Sequence, residues 1–153
     1  MKTTTVLKAA IVILQLVSFT AFGLSFHTIS GILNSSLTGG MGIEMSINES
    51  TGAGTLKISM SPENIGWLPV EFRVELAAVN SDGHYIATDQ FKEHMEPGAK
   101  SSHTLTLELS TSEVQKMMEE GTVSDLEVIL YLRTFYNLVG LYDLLKIEGG
   151  EIR

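Results

Sequence analysis

Polar and apolar residues follow two different rules along this chain, and the change falls near residue 41. Residues 9–26 read AAIVILQLVSFTAFGLSF, 18 positions without a charge, and apolar residues continue through Ile29, Ile32 and Leu33. A hydrocarbon core about 30 Å thick takes about 20 helical residues, so residues 9–33 predict one transmembrane helix. The next stretch is rich in Ser and Gly and carries no charge, which predicts a flexible tether over residues 34–40. Strict alternation then begins. Met41, Ile43, Met45 and Ile47 point one way and Glu44, Ser46 and Asn48 the other. Leu56, Ile58 and Met60 repeat the pattern, as do Phe72, Val74, Leu76 and Ala78, and then Leu105, Leu107 and Leu109. Period 2 in four segments predicts half-buried strands of an antiparallel, all-β sandwich over residues 41–148, with residues 149–153 as a tail.

The punctuation agrees with the strands. Residues 49–54 (ESTGAG), 80–83 (NSDG) and 96–100 (EPGAK) are turn sequences, the second ending in a Gly suited to a left-handed position. Residues 126–136 are apolar on both faces, as a central strand is, and residues 141–147 can close the sheet. One short helix interrupts the strands. Ser110 and Glu113 form a capping box, Val114, Met117 and Met118 supply an apolar face, and Gly121 suits the C-terminal cap.

Charge separates the same two parts. All 18 acidic residues lie at or after Glu44, against 8 Lys and Arg there, a net of −10. Such a domain repels phosphate, which argues against nucleic acid as a partner and against adhesion to anionic lipid. Lys2 and Lys8 precede the apolar run and no basic residue follows until Lys57. The positive-inside rule then places residues 1–8 in the cytoplasm and the sandwich outside the cell membrane. A cleaved signal peptide is the rival, with Ala21-Phe22-Gly23 as its cleavage site. The apolar run continues past that site, which favours an uncleaved signal-anchor. Gln15 and the small residues Ser18, Ala21 and Gly23 could form a helix–helix contact face.

Catalytic chemistry has little to stand on. Cysteine is absent, which excludes disulfides and thiolate chemistry. His27, His84, His94 and His103 make no metal-ligand spacing, and no Gly-x-Ser-x-Gly elbow occurs. Glu93 with Glu96 and Glu119 with Glu120 are the nearest paired carboxylates, in polar surroundings that suit solvated surface. Asp82 lies in a turn that lacks the alternating ligands of a calcium loop. No cofactor, metal or catalytic residue is expected. Asn34-Ser-Ser36 and Asn48-Glu-Ser50 match the N-glycosylation sequon and fall in expected loops. Trp67, the single tryptophan, is bracketed by Pro62 and Pro69, which predicts an irregular or edge segment. It reads either as a core aromatic under that edge or as an exposed interaction residue.

Residues 61–76, SPENIGWLPVEFRVEL, resemble the central motif of the water-stress-and-hypersensitive-response domain, also called the group 2 late-embryogenesis-abundant (LEA type 2) domain. Pro62, Asn64, the alternating run 72–78, the turn at Gly83, Met95-Glu-Pro-Gly98 and the run 105–109 follow the family's order over residues 40–147. Ser61 stands where the family has Asn. The resemblance implies an immunoglobulin-like β-sandwich with one short helix, a frequent N-terminal membrane helix, and no catalytic residues. It also implies stress protection, lipid contact or protein binding. The expected function is therefore a membrane-anchored, non-enzymatic interaction domain with lipid and a protein or membrane complex as partners. The alternative is an accessory or structural subunit of a membrane complex or surface filament.

Overall fold

A computed structural model of the chain describes residues 2–38, 41–80, 83–120 and 125–147. The first element is one helix, α1 (Lys2–Thr38). Seven strands follow: β1 (Gly42–Ile47), β2 (Gly54–Met60), β3 (Val70–Val79), β4 (Tyr85–Met95), β5 (His103–Leu109), β6 (Asp125–Thr134) and β7 (Val139–Ile147). A short helix, α2 (Thr111–Glu120), stands between β5 and β6. The strands make a three-stranded sheet, β1-β2-β5, and a four-stranded sheet, β4-β3-β6-β7, with every pair antiparallel. The chain changes sheets between β2 and β3, β4 and β5, and β5 and β6, which makes this an immunoglobulin-like sandwich of two facing sheets.

Alternation selects the core. Leu56, Ile58 and Met60 of β2 and Leu105, Leu107 and Leu109 of β5 face Val70, Phe72, Val74 and Leu76 of β3 and Val128, Leu130 and Leu132 of β6. β4 was not marked by the sequence pattern, and its register shows why. Its inward positions are Ala87, Asp89, Phe91, Glu93 and Met95, opposite Ala78, Leu76, Val74, Phe72 and Val70. Two of the five are acids, so the apolar period is broken.

The largest correction concerns α1. Residues 34–38, expected in a tether, are helical, and Ser35 and Thr38 bond back to the carbonyls of Ile32 and Asn34 at 2.9 and 2.6 Å. Bonding back to a carbonyl of the preceding turn is how a Ser or Thr hydroxyl is accommodated within a helix. Residues 9–33 are also not one uniform span. Every side chain from Leu7 to Thr20 is exposed, whereas Ser25, Thr28, Ile29, Ile32 and Ser36 are buried under the sandwich. Their i, i+3, i+4, i+7 spacing is that of a core-facing stripe. Ile29 and Ile32 therefore belong to the domain's hydrophobic core.

At α2 the capping box is present. The Ser110 amide donates to Glu113 Oε2 at 2.7 Å, and the Glu113 amide donates back to Ser110 Oγ at 3.4 Å. Val114 is buried as expected. The Met117 and Met118 side chains, Gly121, Asp82 and the tail 149–153 lie outside the described residues.

Candidate interaction site

The two flanks of the sandwich are built differently. On the β4–β5 flank, Asp89 Oδ2 accepts from the Thr106 amide at 2.8 Å. Glu93 Oε2 meets His103 Nε2 at 2.6 Å, and the His103 ring stacks on Phe91 with centroids 3.9 Å apart. The Ser101 hydroxyl, then the His103 ring, hold the Glu93 carboxyl below its ordinary value of 4.5. These contacts tie the sheets together with polar groups on inward positions. That is why β4 can carry acids there.

Among the described residues, no hydrogen bond or ion pair joins β1 to β7 on the other flank. Register places Ile43, Met45 and Ile47 on the inner face, opposite Ile58, Leu56 and Gly54. The alternation expected there is correct, but the burial is not: Met45 remains 48% exposed, and Ile43 and Ile47 are exposed with it. On the other sheet, Leu141 and Leu145 of β7 face inward, beside Leu132 and Val128, and each remains 36% exposed. Both strands are sheet edges, so each presents one side without a neighbour. Outward on β7 stand Tyr142 and Leu144, also exposed. An apolar surface from two unclosed edges is where a further chain can pack or add a strand.

The third feature is the junction of α1 with residues 63–67. The Ser35 hydroxyl accepts the Glu63 amide at 3.0 Å and shares its one proton between the Glu63 carbonyl, at 3.0 Å, and the Ile32 carbonyl. The Trp67 amide donates to Thr28 Oγ1 at 3.3 Å. Between these bonds the backbones nearly touch: a Cβ on Gly66 would lie 2.5 Å from Thr28 Cα, and one on Gly31 would lie 2.6 Å from Ile65 Cγ1. Asn64 holds the loop in shape. Its Nδ2 donates to the carbonyls of Leu68 and Met95 at 2.9 and 3.0 Å, and its Oδ1 accepts the Gly66 amide at 3.0 Å. The Trp67 side chain is not a core aromatic; it is 74% exposed.

The remaining expected positions fall as follows. Gln15, Ser18 and Gly23 are all exposed on α1, and the Ser18 hydroxyl donates to the Leu14 carbonyl at 2.8 Å. At 100° per residue, Gly23 lies about 140° around the helix from Ser18, so the three do not form one face. Asn34 is helical rather than in a loop, and Ser36 of its sequon is buried. Asn48 sits in the β1–β2 turn, where its Oδ1 accepts from the Ser50 amide and hydroxyl at 3.0 and 2.6 Å. His84 is exposed at the β3–β4 turn, and His94 meets Glu96 at 3.2 Å. Among the described residues no group of three His, Asp or Glu is placed to hold a metal. A depression of about 490 Å³ on the outer face of β3, β4 and β6 is open to solvent. In it, Arg73 is held by Glu75, Gln90 and the Tyr131 ring.

No protein-family model matches the sequence, and no curated protein matches it. Among solved structures, a glycosyl hydrolase family 2 member from Bacteroides cellulosilyticus shares 10% identity over 71% of this chain, with a TM-score of 0.45. A β-glucuronidase from Bacteroides uniformis shares 13% over 71%, with a TM-score of 0.45. A protein from Archaeoglobus fulgidus shares 9% over 74% of this chain and 96% of its own, also at 0.45. The chain spans 14% of the first of these hydrolases and 13% of the second.

Proposed function

We propose that this protein is a single-pass membrane protein that holds an acidic, non-enzymatic sandwich outside the cell as a binding module for another protein. Its N-terminus lies in the cytoplasm. The observation that carries the binding role is the unclosed β1–β7 flank, where inward-facing Ile43, Met45, Leu141 and Leu145 remain exposed while the opposite flank is tied shut. The anchor rests on α1, whose residues 7–36 form a helix long and apolar enough to cross a membrane. The orientation rests on Lys2 and Lys8. The resemblance of residues 61–76 to the water-stress-and-hypersensitive-response domain supports a binding or protective role over catalysis.

The chain lacks cysteine, so Met45→Cys and Leu145→Cys are unique probes. With a thiol-reactive photocrosslinker at either position, native membranes should give one discrete adduct. The adduct should disappear when Ile43 and Leu141 are replaced by Asp, and a Lys57→Cys probe on the opposite face of the β1–β2–β5 sheet should give none. A Met45→Cys/Leu145→Cys double variant that closes quantitatively on itself shows a flank sealed within the chain and removes the reading.

A second reading, an accessory subunit of a membrane complex, rests on Gln15. Its amide is exposed in the middle of the apolar stretch, where an amide is best satisfied by a neighbouring helix. Gln15→Leu should then release a co-purifying subunit from mild detergent while leaving the crosslink at residue 45 unchanged.

A further inference from the structure

The level at which a bilayer would end along α1 can be placed from burial. Residues 9–26 number 18 and rise about 27 Å, close to the roughly 30 Å of a hydrocarbon core. From Ser25 onward the sandwich covers one face of the helix. Thr28, which accepts the Trp67 amide, lies about 3 Å along the axis beyond Phe26. The backbone of Trp67 therefore sits at the level where the apolar stretch gives out, with its side chain and that of Ile65 exposed beside the helix.

A second loop lies at the same end. Thr134 pairs with Val70, and its hydroxyl donates to the Pro69 carbonyl at 2.7 Å, which joins the β6–β7 turn to the segment that carries Trp67. In that turn Phe135, Tyr136 and Asn137 take φ of 50, 54 and 66°. L-residues rarely adopt left-handed backbone, and here three in succession present Tyr136, which is 93% exposed, with Leu138 exposed beside it. Trp and Tyr, each an apolar ring with one polar edge, are the side chains best suited to a lipid headgroup boundary.

The domain's net charge does not oppose this placement. At this end Glu63 meets Lys100 at 3.0 Å, Glu71 meets Lys92 at 2.9 Å, Glu93 meets His103 and Glu96 meets His94. Lys100 and Lys92 offset Glu63 and Glu71, and Glu93 and Glu96 are each held by a histidine ring. Ile65, Trp67, Tyr136 and Leu138 are large apolar side chains left exposed at this end.

The geometry points to a membrane-seating surface. The Trp67 loop and the Tyr136 turn enter the headgroup–acyl boundary of the bilayer that α1 crosses, so the sandwich stands on the membrane at three points. This rests on the reading of α1 as a membrane-inserted helix and deepens it by naming a lipid contact for the folded domain.

Trp67 is the only tryptophan, so its fluorescence reports this loop alone. The full chain is reconstituted in phosphatidylcholine vesicles with bromine on shallow or deep acyl carbons and then floated on a density gradient. The expected result is flotation with the vesicles, a blue-shifted emission, and at least twofold quenching by shallow bromine with less by deep. In a Trp67→Phe/Tyr136→Trp variant the same quenching should appear from the second loop. Floating protein whose residue 67 emission is red and unquenched overturns the seating and leaves the anchor standing. Floating protein quenched at residue 67 but not at 136 overturns the three-point arrangement. Protein that does not float overturns the anchor, and the seating with it.

Discussion

Asn64 shows how much one buried side chain can organise. It is fully buried, and its amide nitrogen serves two carbonyls while its oxygen accepts one amide. Asn64→Ala would leave Leu68 O, Met95 O and Gly66 N without that partner. The expected loss is about 1–3 kcal/mol, read as a lower urea midpoint in detergent micelles. A midpoint indistinguishable from the parent would show that water replaces the side chain. Glu93 makes a different prediction. Ser101 and His103 keep its carboxyl below its ordinary value, so the folded chain binds that proton more weakly than the unfolded chain. The contribution is therefore full above the ordinary carboxyl range near 4.5 and is lost as pH falls through the lowered value. Glu93→Gln should melt below the parent at pH 7, by less than about 1 kcal/mol for a partly exposed pair, and the two melting curves should converge as pH falls below the lowered value. A constant gap across that range would assign the difference to packing against Phe91. Neither role was legible in sequence except as a resemblance at Asn64. Its partners come from residues 66, 68 and 95, and those of Glu93 from residues 101 and 103, which only the fold assembles.

Among elements, α1 departs most from its sequence pattern. An apolar run predicts helix by the same signs whether its surroundings are lipid or protein. The distinction lies in which positions are covered, here Ser25, Thr28, Ile29, Ile32 and Ser36. The small polar members of that stripe hid it. Ile32→Ala should destabilise the sandwich by about 2–5 kcal/mol as a large-to-small core change, whereas Leu14→Ala on the exposed stretch should not move its melting. Equal melting of the two variants would place the end of α1 outside the core. The β6–β7 turn gives the complementary test. Tyr136→Gly removes a left-handed L-residue and should raise stability by about 1 kcal/mol, even though it deletes an aromatic ring. A loss of stability would mean the ring packs on the domain. Strands β2, β3 and β5 were legible because their two faces alternate, and β6 because it is apolar on both faces, as a central strand is. β1 was legible in phase but not in burial, since nothing in its own residues reports that β7 leaves it uncovered.

For the whole molecule, the fold class was readable from alternation and turns, while the distribution of its surfaces was not. Net charge is a domain average. In three dimensions Glu63 and Glu71 meet Lys100 and Lys92, and the two flanks differ in closure. The helix is also a part of the domain as well as its carrier. A chain starting at Leu24 retains Ile29, Ile32 and the Ser35–Glu63 bonds, whereas a chain starting at Met41 loses them. The shorter chain should unfold at a lower denaturant concentration than the longer one. Coincident midpoints would separate helix from core.

The helix runs from its exposed stretch into the sandwich without a break, so the bearing of the open flank is geared to helical phase. One residue inserted just before Leu24 would turn the sandwich by about 100° about the helix axis relative to the residues below it and lift it by about 1.5 Å. Seven inserted residues would return it to within about 20° of its first heading, about 10 Å higher. A partner fixed in the same membrane would meet the flank at one compass direction and one height. Insertions of different length would separate direction from height as requirements for that meeting.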